Sequence, residues 1–499
     1  VFVLSLCAFG FGSQVMGRSY LEFATGFIVV FLLATLALVM LIPALVDAFT
    51  GHSDWEVFAI SSGVTLFVGV AMALTSRAGA MRLTIRQAFA MTTLSWLTMT
   101  FFASLPFIYS SLDLNFTDAF FEAMSGITTT GSTVITDLDN APKGILLWRA
   151  LLQWLGGIGI IVVAMVFLPE LRVGGMQIFR AEAFDTMGKI LPRATQIASQ
   201  ISVIYVSLTL VCALTYIAFG MNTFDATVHA LTTISTGGFS NYDASFAAFS
   251  GPMEYVASAF IILSALPFVR YVQMINGSAR PLLRDSQVHV FLLVVAALVI
   301  LTAIALMISF PHAPERAFRE ALFNVTSIIS GTGYASADYM GWGPLLVAVF
   351  FFIGLIGGCA GSTACSVKVF RYQLLFASIR VQLLRIRSPN GVFTTRYEGR
   401  PVGDDVLSSV MSFFMFFVVS MGVLAVLLSA TGLDFVTSVS GAATSLANVG
   451  PGLGDIIGPA GNFATLNDTA KWLLSAAMLI GRLELLVVYA ILTVNFWRA

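Results

Sequence analysis

Charge is what this sequence has least of. Only 10% of its 499 residues are Asp, Glu, Lys or Arg, while 58% are hydrophobic and the mean hydropathy is +0.91. A soluble domain carries about 25% charged residues, so a water-soluble fold is excluded. The formal net charge of -1 gives a nucleic acid or other polyanion nothing to hold. Cysteine is scarce too: Cys7, Cys212, Cys359 and Cys365 match neither zinc-ligand spacing nor a disulfide framework, and read as small buried side chains. His52, His229, His289 and His312 are dispersed, and no nucleophile stands beside a base. Transition-metal and enzymatic chemistry are therefore not expected. The glycine runs GGIGIIV at 156–162 and GGCAGST at 357–363 lack the strand–turn–helix context of a phosphate-binding loop. No cofactor is expected in this chain. The apolar stretch Val1 to Gly17 has no convincing cleavage site and reads as an N-terminal extension.

Long apolar runs are abundant. Runs of about 20 residues, enough to cross a bilayer, begin near Phe23, Phe58, Ala88, Leu146, Ile197, Met253, Val288, Pro344, Val406 and Trp472. The sequence thus predicts ten spans. The first two form a hairpin, and the other eight fall into four pairs. Each pair brackets one apolar segment too short to span, such as Thr117 to Thr128.

Those four short segments align on a glycine: Gly131, Gly238, Gly333 and Gly450. Asp118, Asp225 and Glu320 stand thirteen places before the first three; Thr437 holds that place in the fourth. A hydroxyl lies six places before every glycine (Ser125, Thr232, Ser327, Thr444) and a large aliphatic four before it (Ile127, Ile234, Ile329, Leu446). Four divergent copies in one chain mean fourfold pseudo-symmetry. The expected fold is an all-α polytopic membrane protein with four pseudo-symmetric helix–pore-helix–helix repeats around one central cation pore, plus an N-terminal transmembrane hairpin. The boundaries read as 1–80 for the extension and hairpin, 81–170, 190–276 and 285–375 for the first three repeats, 376–400 for a basic cytoplasmic loop, and 401–499 for the fourth repeat.

Basic residues orient the chain, because cytoplasmic loops are rich in Lys and Arg. One side collects Arg77, Arg82 and Arg86, then Arg172, Arg180, Lys189 and Arg193, then Arg270, Arg280 and Arg284, then seven between Lys368 and Arg400. The other has only Lys143, Arg316, Arg319 and Lys471. The pore loops face outward and both termini lie in the cytoplasm.

A re-entrant loop must be buried in protein or line water. Four such loops around one axis can turn backbone carbonyls inward and replace a cation's hydration shell. The candidate filter is Thr129, Thr130 and Gly131; Thr236, Gly237 and Gly238; Gly331, Thr332 and Gly333; Asn448, Val449 and Gly450. The acids Asp118, Asp225 and Glu320 are expected to open the pore helices, where negative charge suits the helix start. The carbonyl ends then face the pore and favour cations. No carboxylate ring marks a calcium-type site.

With these residues in view, the chain resembles the TrkH/KtrB/HKT superfamily, and its TrkH branch most closely. The resemblance is carried by DAFFEAMSGITTTGSTVI, LLWRALLQWLGGIGIIV, HALTTISTGGFSNYD, GGCAGSTACSVKVFR and MLIGRLELL, and covers nearly all of the chain after Leu21. It implies potassium uptake, with potassium as the substrate held at the filter residues, and one filter glycine per repeat. Glycine at 131 implies preference for potassium, since plant relatives with serine there favour sodium. Asn448 and Pro451 are departures in the fourth filter. The resemblance also implies a homodimer in the bacterial cytoplasmic membrane and a cytosolic, TrkA-like ring that binds NAD or ATP. Any nucleotide control must come from that ring.

Below the filter, the small-residue run Gly357, Gly358, Cys359, Ala360, Gly361, Ser362 and Thr363 is a poor continuous helix. It stands in mid-membrane just before Lys368. Small residues alone would allow close helix packing; the resemblance makes the run an intramembrane loop that gates the pore. Arg482 lies in the middle of the last span, where a charge is costly and functional by default. It reads as part of the gate, an electrostatic barrier or the partner of a carboxylate or loop carbonyl. The run at Gly156–Gly159 reads as packing, and Arg149 as a snorkelling side chain. A symporter coupled to protons or sodium is the alternative mechanism. It needs an intramembrane acid, and Glu484 is the only clear one, so the channel-like mode is favoured.

Overall fold

The computed structural model describes residues 21–75, 85–166, 175, 194–310, 313–494 and 496. The N-terminal extension and the basic residues Arg77, Arg82, Arg172, Arg180, Lys189 and Arg193 lie outside the described residues. Nearly all of the structure is helical, the form in which a chain poor in charge satisfies its own backbone away from water. The one sheet among the described residues pairs β1 (Arg396–Tyr397) with β2 (Arg400–Pro401) in antiparallel fashion.

Helices α1 (Leu21–Thr50) and α2 (Asp54–Thr75) form the N-terminal hairpin. Four sets of helices follow. The first is α3 (Ile85–Tyr109), short α4 (Phe116–Ile127) and α5 (Lys143–Val166). The second is α6 (Ala194–Ala218), short α7 (Thr223–Ile234), and the pair α8 (Pro252–Ser264) and α9 (Phe268–Ile275). The third is α10 (Ser286–Ser309), α11 (Pro314–Ser330), α12 (Pro344–Ile353) and α13 (Val369–Arg387). The fourth is α14 (Asp404–Ala430), short α15 (Phe435–Ala447), α16 (Asp468–Arg482) and α17 (Leu485–Leu492).

Seven described helices are long and apolar enough to cross a membrane, and nine spans result if two bent pairs each count as one. The eighth expected span, starting at Pro344, holds helix only to Ile353. From Gly354 to Lys368 the backbone is irregular, because the glycines there gain too little from helical order. The α8–α9 pair bends by 87° at Pro267, which has no N–H to give and disfavours helix at Leu266. The α16–α17 pair bends by 113° at Glu484, whose φ is +63°.

The hairpin is seated on the first set. Leu33, Leu36 and Met40 of α1 pack with Phe58, Phe107 and Trp148, and the Trp148 indole meets Phe58 edge-on at 6.2 Å while donating to the Ala103 carbonyl at 3.0 Å. Outward faces stay apolar, with Leu293 70%, Ile308 80% and Val426 69% exposed. Surfaces of this kind suit hydrocarbon rather than water.

Candidate functional site

Three of the four short helices begin alike. The Asn115, Asn222 and Asp434 side chains accept the N–H groups of Asp118, Asp225 and Thr437, three residues on, as good N-caps do. Hydrogen bonds from Thr437 hold the Asp434 carboxyl below its usual range. The third helix departs from expectation. It starts at Pro314, with Glu315 in its first turn, because proline at the first helical position is preorganised for helix. Glu320 therefore lies well inside α11, paired with Arg316 at 2.7 Å.

All four end identically. The N–H groups of Thr130, Gly237, Thr332 and Val449 donate to the carbonyls of Ser125, Thr232, Ser327 and Thr444 at 2.9, 2.9, 2.9 and 3.0 Å. Those of Thr129, Thr236, Gly331 and Asn448 donate to Gly126, Thr233, Ile328 and Ser445. This is the Schellman arrangement, which requires a left-handed residue just past the helix. It is filled by Thr129 (φ +53°), Thr236 (+50°), Gly331 (+77°) and Asn448 (+52°). The aligned hydroxyl residues thus share a backbone role, six places before each glycine.

Two residues further on, Gly131, Gly238, Gly333 and Gly450 are left-handed as well, with φ between +77° and +100°. Each faces the next loop. A Cβ on Gly131 would stand under 3.0 Å from the Gly237 oxygen; on Gly238, from the Thr332 oxygen; on Gly333, from the Val449 oxygen; on Gly450, from the Thr130 oxygen. The series closes into a ring of four. Side chains brace the seam between the fourth and first loops: Asn448 Nδ2 donates to Thr130 Oγ1 at 2.9 Å and Ser132 Oγ to the Gly450 carbonyl at 2.9 Å. One cavity, of about 270 Å³, touches all four glycines and reaches outward past Thr133, Tyr242, Asp243 and Asn462. Tyr242 donates to Asp225 at 2.7 Å, and that bond, with burial, pushes its phenol up to about 12.

The other side of the ring is lined more tightly. A cavity of only about 20 Å³ there is lined by Cys365, Lys368, Asn448, Arg482 and Glu484. The 354–368 segment fills the space, and the bend at Pro267 meets it. Cys359 N–H bonds Ala265 O at 3.0 Å, Phe268 N–H bonds Gly361 O at 2.9 Å, and Val369 N–H bonds Gly358 O at 3.0 Å. Thr363 Oγ1 donates to Ser264 O at 3.0 Å. Its far end touches the ring: Cys365 N–H reaches the Ser330 carbonyl at 3.4 Å, and Cys365 Sγ lies 3.5 Å from Thr129 Oγ1. Arg482 donates to that sulfur at 2.6 Å and reaches the Gly156 carbonyl at 3.4 Å.

The sequence model of the TrkH cation transport proteins matches residues 55–495. The chain belongs to the TrkH family. It is 44% identical over 465 residues to the Trk system potassium uptake protein TrkI of Halomonas elongata, covering 93% of this chain and 94% of that one. It is 36% identical over 482 residues to the Trk system potassium uptake protein TrkH of Vibrio parahaemolyticus, covering 95% and 98%. The crystal structure of the potassium transporter TrkH from Vibrio parahaemolyticus superposes with a TM-score of 0.88 at 34% identity, covering 96% of this chain and 100% of that one. This is a family of transport proteins, not of enzymes.

In this TrkH-family chain the twelve loop residues named from the sequence converge on one ring. Of the residues below it, Lys368 and Arg482 line one small cavity, Gly358, Cys359, Gly361 and Thr363 meet the α8–α9 bend, Ala360 bonds Gln287 of α10, and Gly357 stands against Cys365 and Lys368. Among the described residues Arg482 has a sulfur and a carbonyl for partners, not a carboxylate. Cys365 was read from the sequence only as a small buried side chain; its place just past the glycine run was the available signal for its contact with the ring. Arg149 does not snorkel. It is buried, paired with Glu122 at 2.8 Å, bonded to the Ser240 carbonyl at 2.8 Å and stacked on Phe239. Glu122 also accepts the Val134 N–H at 2.9 Å. Two opposite charges on neighbouring helices, Glu122 and Arg149, were the clue to this clamp. Gly156 is packing, its Cα held against the Ile127 carbonyl.

Proposed function

We propose that this chain takes up potassium across the bacterial cytoplasmic membrane through one gated, channel-like pore where its four loops meet. The closed ring carries the reading: each loop glycine stands against the next loop's carbonyl, and the fourth returns to the first. The filter in this reading is Thr129 to Gly131, Thr236 to Gly238, Gly331 to Gly333 and Asn448 to Gly450. Their backbone oxygens take the place of water around a dehydrated cation. The names of the relatives supply the ion.

The gate is the run Gly357 to Thr363 with Lys368 and Arg482. In support, the outer cavity is large and the inner one has room for about one water. The four helix sets act as the four repeats, 81–170, 190–276, 285–375 and 401–499, with the loops outward and both termini cytoplasmic, as the basic residues favour. Regulation by a cytosolic nucleotide-binding ring, and assembly as a homodimer, complete the proposal. Exposed Arg380, Arg385 and Arg387 on α13 offer such a ring a basic surface.

Liposomes holding only this protein provide the test. Potassium and rubidium flux down their gradients, ahead of sodium and lithium at matched pH, is the expected result. Flux that requires a proton or sodium gradient would instead make the protein a symporter. The buried ion pair of Glu484 with Arg371 favours the channel-like mode over that alternative.

A further inference from the structure

One filter loop is built differently from the other three. The residue before the ring glycine has a side chain in the first, third and fourth loops: Thr130, Thr332 and Val449. Two of these anchor their own turn, Thr130 Oγ1 to Thr128 Oγ1 at 2.7 Å and Thr332 Oγ1 to Ser330 Oγ at 2.7 Å. The second loop has Gly237 there, followed by Gly238. Two consecutive glycines leave the peptide between them free to pivot, and that peptide carries the oxygen that faces Gly131.

A side chain from another repeat restrains it. Gln153, fully buried on α5, donates from Nε2 to the Gly237 carbonyl at 2.6 Å. Its Oε1 accepts the Phe239 N–H at 3.1 Å. The amide therefore brackets Gly238 from both sides. It also fills the space a side chain at 237 would need, since a Cβ there would meet Gln153 Cδ and Oε1 under 3.0 Å. Among the described residues, no other carbonyl at this position of the four loops is given a side-chain donor.

We infer that Gln153 is a specificity-determining positioning residue of the transport path: its amide fixes the Gly237 oxygen at the spacing a potassium-sized cation requires. The inference rests on the filter reading above. A carbonyl free to swing can follow a smaller ion inward, and a fixed one cannot.

The test is cation flux in liposomes holding the full chain, with potassium, rubidium and sodium compared. Gln153→Met keeps the volume and removes both hydrogen bonds. The potassium-to-sodium flux ratio should fall by about fivefold or more, the effect of losing one buried bond of about 1 kcal/mol. A merely structural role would lower thermal stability and all fluxes together and leave the ratio within twofold, which overturns the inference. Should Gln153→Met not fold, Gln153→Leu serves, because it too is uncharged and removes both hydrogen bonds; the same fall or constancy of the ratio decides. A wild-type protein that does not discriminate between the cations would reject the filter reading itself, a result separate from a selective wild type with an equally selective Gln153→Met.

Discussion

Glycine at the ring is a matter of both conformation and space. Gly131 has φ +89° and no room for a Cβ against the Gly237 oxygen. Gly131→Ser meets a left-handed cost of about 1–2 kcal/mol and must push the neighbouring oxygen aside. The expected outcome is a lower potassium-to-sodium flux ratio, measured by tracer uptake in the same liposomes; an unchanged ratio would remove Gly131 from the filter. The residue two places earlier follows a different logic. Gly331, Asn448, Thr129 and Thr236 all take the same left-handed cap, and only glycine and asparagine tolerate it readily. Asn448, which looks like a departure in the sequence, is the fourth loop's substitute for that glycine. Its side chain also bonds Thr130 and the Met478 carbonyl, each at 2.9 Å. Asn448→Gly keeps the conformation and loses these bonds, whereas Asn448→Ala loses both. Apparent melting temperatures in detergent should rank wild type above Gly above Ala, with Ala about 1 kcal/mol below Gly. The ring glycines were legible in the sequence because they repeat. The strained threonines were not, because nothing in the residue type announces a left-handed β-branched residue; only the Schellman geometry demands it.

At the scale of elements, two broken helices satisfy each other. The bend at Pro267 frees the carbonyls of Ser264 and Ala265, and the 354–368 segment supplies the N–H groups that fill them. Irregular backbone survives at membrane depth only under such pairing. The glycine run foretold one partner. The other was overlooked because Leu266-Pro267 sits inside an unbroken apolar stretch, where hydropathy alone reads a straight span. Shortening Gly357 to Thr363 should raise basal potassium flux in folded protein, since that run anchors the segment whose Cys365 meets Arg482 and Thr129 beneath the ring. Flux that is unaltered or lower would leave the segment a packing element. The Glu122–Arg149 pair tests a different join, between the first short helix, α5 and the second loop. Removing one member strands a buried charge at a cost of about 3–5 kcal/mol. Arg149→Met should therefore destabilise strongly, and adding Glu122→Gln should recover much of that loss, measured by thermal unfolding of both variants.

For the whole molecule, the ring favours the channel-like mechanism proposed above. Alternating access moves one half of a transporter against the other around a central site. Here each of the four helix sets contributes one loop, and every loop is locked to the next through a glycine–carbonyl contact. Rocking any two sets against the other two would break two of those four contacts and with them the binding site. A local movement of the 354–368 segment breaks none. The same view assigns Glu484 a structural part. It sits at the left-handed break between α16 and α17 and binds the buried Arg371, which ties that break to the start of α13. Glu484→Gln alone is an ambiguous probe, because it takes a partner carboxylate from the buried Arg371 charge. The informative variant replaces both, Glu484→Gln with Arg371→Met. Potassium flux in that protein should remain passive and should not change when a proton gradient is imposed, at equal membrane potential. If instead the wild type is driven by the gradient and the double variant is not, Glu484 carries the coupling proton and the four-loop pore works as part of a symporter.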